Sequence, residues 1–132
     1  MDLSNYRYTL EMTVRDYEVD YQGIVNNSNY LHYTEHTRHE FCKKEGLSIR
    51  KMHAQGIDPV VVQANLHFIT PLHLGEDFIS CLNVERRGPK FVFFQDIYTK
   101  TGTTVLKSEI TIACLENGSL SRGDVLANAF NI

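Results

Sequence analysis

Only one long stretch of this sequence repeats with the period of a helix, and it sits among segments that repeat with the period of a strand. Tyr30, Tyr33, Thr34, Thr37 and Phe41 recur at helical spacing, while His32, Glu35, His36, His39 and Lys43 fall on other faces. Asn26, Asn27 and Ser28 offer capping side chains at its start, and Gly46 offers a stop that tolerates left-handed geometry. Burying the aromatics Tyr30, Tyr33 and Phe41 contributes roughly 1.5 to 3 kcal/mol each, well above what helix propensity supplies. Such a helix needs an apolar surface to lie on.

The flanking segments supply it. Tyr6, Tyr8, Leu10, Met12 and Val14 alternate with polar residues, and the rhythm returns in Val60, Val62, Ala64, Leu66 and Phe68 against Val61, Gln63, Asn65 and His67 and, more weakly, in Phe78, Leu82 and Val84. Stretches 91–99 and 104–115 are rich in Phe, Val, Ile, Tyr and Thr, with turn residues at 86–90 and 100–102. Together these predict five strands, with a short second helix over 48–55. The order strand, long helix, short helix, four strands implies an α+β fold, a five-stranded antiparallel sheet wrapped around one long central helix. Hot-dog and cystatin-like folds both have that arrangement. Residues 1–132 contain no repeat or linker that would divide them, so a single domain is expected.

Charge and cysteine usage exclude several roles. A net charge of -3 and a pI near 6.0 give no general attraction to a phosphate backbone, so no nucleic-acid partner is expected. No run approaches the roughly 18 apolar residues of a membrane span, and residues 1–10 lack the pattern of a secretory signal. Cys42, Cys81 and Cys114 are far apart and read as small buried hydrophobes, which fits a reducing cytoplasm.

Chemistry concentrates just before the helix, where Asp20 and Gly23 lead into Asn26-Asn27-Ser28. Hydrolysis of a thioester needs water or a carboxylate to attack the carbonyl carbon, and donors for the charge that develops on its oxygen. Asp20 meets the first need. Backbone N–H groups left free at the helix start, near Asn27 and Ser28, meet the second, with the helix dipole behind them. Gly23 lets the chain turn closely past a substrate. Taken alone, an aspartate ahead of a helix is more often a surface or capping residue.

The whole pattern says more. Asp20, Gly23, Ile24, Val25, Asn29 and Tyr30, followed by Tyr33, Glu35 and Arg38, resemble the signature of the 4-hydroxybenzoyl-CoA thioesterase family of hot-dog proteins. Val60 to Phe68, then Pro71 and Leu74-Gly75-Glu76-Asp77, are similar to that family's second strand and the connection after it, so the likeness covers most of the chain. It implies a cytoplasmic thioesterase acting on an acyl-CoA or an acyl-carrier-protein thioester, with no cofactor and no metal. It further implies a homodimer, or a homotetramer built from it, with the pantetheine arm running between subunits. On that resemblance Asp20 is the catalytic aspartate, as nucleophile or as general base, and Asn27 presents its N–H to the thioester oxygen. Many members carry His or Tyr at Asn27; the pair Asn26-Asn27 resembles a branch of long-chain acyl-CoA thioesterases. Gly23, Ser28, Tyr30 and Val61 are the further substrate-binding candidates, Arg86 and Lys90 candidates for the CoA phosphates, and Phe91 either for the pantetheine channel or, equally, for ordinary core.

Three other readings compete. His32-Tyr33-Thr34-Glu35-His36 matches H-x-x-E-H, a metalloprotease pattern, but its histidines lie off the apolar face and toward solvent. A cystatin-like inhibitor needs Gln-x-Val-x-Gly, and Gln63-Ala64-Asn65-Leu66-His67 fails at both later positions. A non-catalytic acyl-CoA-binding hot-dog domain needs the same pocket and no catalyst.

Overall fold

The computed structural model describes residues 1–132. Its elements are β1 (Tyr8–Thr13), a single 3-10 turn (Asp16–Glu18), α1 (Asn27–Lys44), α2 (Ile49–Ala54), β2 (Ile57–Phe68), β3 (Asp77–Arg87), β4 (Lys90–Thr99), β5 (Thr104–Glu116), β6 (Ser119–Leu120) and α3 (Asp124–Phe130). The strands pair antiparallel in the order β1-β3-β4-β5-β2, and β6 adds to the end of β5. No helix is long and apolar enough to cross a membrane.

Alternation decides which way each strand faces. Phe91, Phe93, Gln95, Ile97 and Thr99 on β4 are all buried, and their pairing register places them beside Ile112, Ile110, Ser108 and Leu106 on β5. Against this concave face lies α1, with Tyr30, Tyr33, Thr34, Thr37 and Phe41 buried as its spacing predicts, and His32, Glu35, His36, His39 and Lys43 exposed. Asn26 caps the helix by accepting from the Ser28 N–H, and Gly46 follows its end with φ +85°.

The core has two apolar halves. One, around Tyr30, Tyr33, Leu72, Phe78, Ile97 and Leu106, lies under the first turns of α1. The other gathers Phe41, Met52, Phe91, Phe93, Leu126 and Phe130 under its last turns. A buried polar layer separates them. Gln95, fully buried, donates to the Thr34 carbonyl at 2.9 Å and accepts from Arg38 Nη1 at 3.0 Å, while Thr37 and Ser80 share a hydrogen bond of 2.7 Å. The layer fixes the rotation of α1 on the sheet, because a slipped helix would strand these groups without partners.

The sequence reading needs three corrections. A sixth strand of two residues and the helix α3 were absent from it, since seven residues are too short to show a helical period. The second strand is not simply alternating: its register shifts between Val61 and Gln63, a bulge that leaves Val61 and Val62 both about half exposed. The first strand is shorter than the alternation from Tyr6 suggested, because Tyr6 leaves the ladder and turns its hydroxyl to Asp96 and Tyr98. All three cysteines are free and buried, as expected.

Candidate active site

Leaving β1, the chain is gripped by an acidic residue that alternation would not have singled out. Glu18 is 3% exposed, and its carboxylate accepts from the Arg15 N–H at 2.8 Å, the Arg15 guanidinium at 2.8 Å and the Tyr33 hydroxyl at 2.9 Å. Its backbone carbonyl accepts from the Asn26 N–H at 3.0 Å and from Asn29 Nδ2 at 2.8 Å. Residue 18 therefore fastens the loop to the first turns of α1 through both its side chain and its main chain. Burial pushes the Glu18 carboxyl up, but the hydrogen bonds from Arg15 and Tyr33 outweigh it and hold the group below the usual carboxylate range. The same contact, added to burial, pushes the Tyr33 hydroxyl up.

Two residues on, Asp20 stands exposed at the head of a tight loop. Its Oδ1 accepts from the Gln22 N–H at 2.9 Å and the Ile24 N–H at 3.2 Å, and its own N–H donates to the Ile24 carbonyl at 2.9 Å. Gly23 closes the turn with φ +79°, a conformation that side chains resist, and donates to the Asp20 carbonyl at 2.9 Å. One carboxylate oxygen thus builds the loop, and Oδ2 has no protein partner. Bridges between Val19 and Val25 and between Ile24 and His73 bring the loop back to the start of α1.

At that start the expected pair of free donors becomes one. The Ser28 N–H and hydroxyl both donate to Asn26 Oδ1, at 3.2 and 3.1 Å, so Ser28 is occupied by the cap. Asn27 is the first helical residue and its N–H has no partner. The loop that carries the Asp20 carboxylate thus returns, through the Val19–Val25 bridge, to the helix-terminal Asn27 N–H, with the positive end of an 18-residue helix behind the donor.

The remaining sequence candidates divide. Gly23 closes the turn of the Asp20 loop. Tyr30 is buried and its hydroxyl accepts from the Leu72 N–H at 3.2 Å, so it braces the wall behind the site and has no free face toward a ligand. Val61, half exposed on β2, lines a cavity of about 250 Å³ near the other end of α1. Lys90 is exposed at the start of β4. Arg86 is already engaged, donating to the Arg122 carbonyl at 2.8 Å and to Asp124 at 3.0 Å, which ties β3 to α3. Phe91, a candidate for channel or core, is completely buried against Phe130 at 6.0 Å between ring centroids. The reason is Gly123, whose missing side chain leaves room for the Phe91 ring, 2.7 Å from where a Cβ would stand.

Sequence reasoning missed Glu18 and the buried role of Arg38. For Glu18 a signal existed: Arg15-x-x-Glu18 has the three-residue spacing by which a carboxylate reaches back to cap its own turn. For Arg38 the signal was its position, four residues after Thr34 and three before Phe41, on the stripe that faces the sheet.

Comparison with known proteins places this geometry in a family. Residues 14–126 match the model of the thioesterase-like superfamily. A Bacillus subtilis protein, YneP, provisionally named an acyl-CoA thioesterase, is 32% identical over 110 residues, covering 83% of this chain and 80% of that one. The acyl-acyl carrier protein thioesterase ATL3 of Arabidopsis thaliana, a chloroplastic protein, is 29% identical over 93 residues, covering 70% of this chain. The match takes in only 49% of ATL3, so the chain spans about half the length of that relative. The structure of a 1,4-dihydroxy-2-naphthoyl-CoA thioesterase from Synechocystis superposes with a TM-score of 0.85 over 94% of this chain and 92% of that one, at 17% identity. With an antiparallel sheet curled around one long helix and a family match over most of its length, the chain belongs to the thioesterase-like superfamily and has the hot-dog fold.

Proposed function

We propose that this protein hydrolyses acyl-CoA or acyl-carrier-protein thioesters at the surface formed by Asp20 and the first turn of α1. The observation that carries the reading is the pairing of an exposed carboxylate, one oxygen free, with the unpartnered Asn27 N–H at the helix start. The thioester carbonyl oxygen sits against the Asn27 N–H, where the charge that develops in the tetrahedral intermediate meets a donor and the helix dipole. Asp20 then attacks the carbonyl carbon itself or takes a proton from the water that does. The names of YneP and ATL3 support the substrate class.

The protein acts as a homodimer in this reading. Twelve-residue β2 is an edge of the sheet, with Val61, Val62, Phe68 and the adjoining Ile69 each about half exposed. Asp58 and Pro59 blunt only the start of this edge, and from Val60 to Phe68 it carries no Asp, Glu, Lys, Arg or Pro. A second copy pairing along β2 covers it and encloses the pantetheine arm between subunits. The CoA phosphates meet Lys90, whose ammonium is free for them, more readily than Arg86.

Thiol release from short, long and aryl acyl-CoA esters, with wild type and Asp20→Asn compared, tests the reading. Asparagine keeps the Oδ1 acceptor of the loop, so the variant folds. Wild-type turnover that drops by roughly 10² to 10⁴ in the variant supports the assignment, the loss expected for a positioned acid or base. Activity indifferent to Asp20 overturns the mechanism; binding of acyl-CoA without turnover makes the protein an acyl-CoA-binding domain.

A further inference from the structure

Arg38 is a cation in the wrong surroundings for a purely structural residue. Its side chain is 8% exposed, no carboxylate lies within ion-pair distance of it, and its one hydrogen bond goes to the neutral Gln95. Burial pulls its pKa down, and the field of Glu35 opposes that only in part. A guanidinium carries five N–H donors, and a buried charge left this poorly paired is costly. Yet no buried side-chain nitrogen in the chain is both sealed from access and unbonded. Arg38 lines a cavity of about 250 Å³ together with Phe93, Ile112, Leu126 and Phe130.

That cavity is mostly apolar and smaller than the ~300–1,000 Å³ of a site that holds a whole ligand. It therefore takes the end of a longer molecule. Its place in the fold says which end: Arg38 lies eleven residues along α1 from Asn27, about 16 Å at 1.5 Å per residue. A thioester held at the Asn27 N–H spans that distance with the far end of a long acyl group. Glu35 also lines the cavity, so an incoming carboxylate would meet a like charge, whereas a hydroxyl or keto oxygen accepts from the guanidinium without repulsion.

We infer that this cavity selects acyl groups whose distal end is apolar but carries one neutral oxygen acceptor, bound by the free N–H donors of Arg38. Calling the ligand an acyl group rests on the thioesterase reading; the cavity and its donors do not. The first test therefore uses no thioester. Methyl esters of tetradecanoic acid, unsubstituted, ω-hydroxylated or ω-carboxylated, are titrated into the wild-type protein while the Arg38 Nε–H resonance is followed by NMR. The ω-hydroxy ester is expected to bind about tenfold or more tightly than the unsubstituted one and to move that resonance. Equal binding of the two, an unmoved resonance, or tightest binding by the ω-carboxy ester overturns the inference. Arg38→Met, where it folds, is expected to abolish the preference; where it does not, the wild-type resonance decides. Should the protein turn over acyl-CoA, ω-hydroxytetradecanoyl-CoA should show the same preference in kcat/KM. Silence there with selective ester binding would count against the thioesterase reading and leave the cavity assignment standing.

Discussion

The two ends of α1 carry opposite kinds of structure. At its N-terminal end the important groups are polar and open: Asp20 is exposed and the Asn27 N–H is unpartnered, both held by main-chain bonds and by the buried carboxylate of Glu18. At its C-terminal end the rings of Phe41, Phe91, Phe93 and Phe130 lie 5.0 to 6.3 Å apart in a sealed cluster, with one cavity beside it. The buried layer around Gln95 and Thr37 stands between them. On the proposed assignment of the chemistry to the N-terminal end, stability and chemistry are drawn from different halves of the molecule, so substitutions at the two ends should separate.

The largest separation is expected from Phe130→Ala. Phe130 is 1% exposed and touches three other phenylalanine rings, so truncation removes apolar burial and leaves a void in one step. A loss of about 3 to 5 kcal/mol in unfolding free energy is expected from denaturant melts. Below the transition, kcat for an acyl-CoA too short to reach the cavity that Phe130 lines should stay within a few-fold of wild type. A variant that keeps its stability would show that α3 is not part of the core the chain relies on.

At the other end, Asn27→Pro makes the converse cut. Proline is well suited to the first position of a helix, where its missing N–H is not needed for the ladder. Asn26 already has φ -65° and ψ 135°, the extended conformation that a following proline demands. The substitution deletes one donor and little else. Turnover should fall by about 10² to 10³, the effect of losing an oxyanion donor, while the melting temperature holds or rises slightly. Normal turnover would remove the Asn27 N–H from the mechanism.

Sequence alone made one half of this contrast more legible than the other. The helix was readable because its buried face recurs over Tyr30 to Phe41, and the Asp20 loop because Gly23 and the Asn-rich cap sit at short, fixed spacings. These are local signals. The choice between channel and core for Phe91 was not legible because its surroundings are made by residues far away in the chain: Gly123 opens the space and Phe130 fills the other side. The partners of Arg86 were hidden for the same reason, since Asp124 and the Arg122 carbonyl that engage it belong to a helix too short to announce itself and the residues just before it. Glu18 shows a third case, a carboxylate whose local spacing was visible but whose burial depends on Tyr33.

Glu18 gives the next prediction, smaller and tied to pH. Its carboxyl is held low in the folded protein, so the unfolded chain takes up the proton first as pH falls. The stability that Glu18 contributes is therefore complete above the ordinary glutamate value of about 4.3 and is lost as pH drops through the folded value. Glu18→Gln should cost roughly 1 to 3 kcal/mol at neutral pH, because Tyr33 and Arg15 lose a charged partner. Its melting temperature should also fall less steeply than that of wild type below about pH 4.3. A parallel pair of curves would mean that other carboxylates govern the acid limb.

The smallest expected effect distinguishes two basic residues that look alike in sequence. Arg86 and Lys90 flank the same Gly-Pro turn, but Arg86 is 30% exposed and paired with Asp124, whereas Lys90 is exposed and unpaired. The Arg86 ion pair is partly screened by water, so Arg86→Ala should lower stability by only about 0.2 to 1 kcal/mol. It should leave KM nearly unchanged. Lys90→Ala should do the reverse, with unaltered melting and a KM that rises for acyl-CoA but not for an acyl-pantetheine lacking the nucleotide. That second substrate matters because it separates phosphate recognition from a general disturbance of the β3–β4 hairpin, which would raise KM for both. If Arg86→Ala alone raised KM selectively for the CoA ester, the Asp124 pair would have to open on binding, and the hairpin would be a moving part of the site rather than its frame.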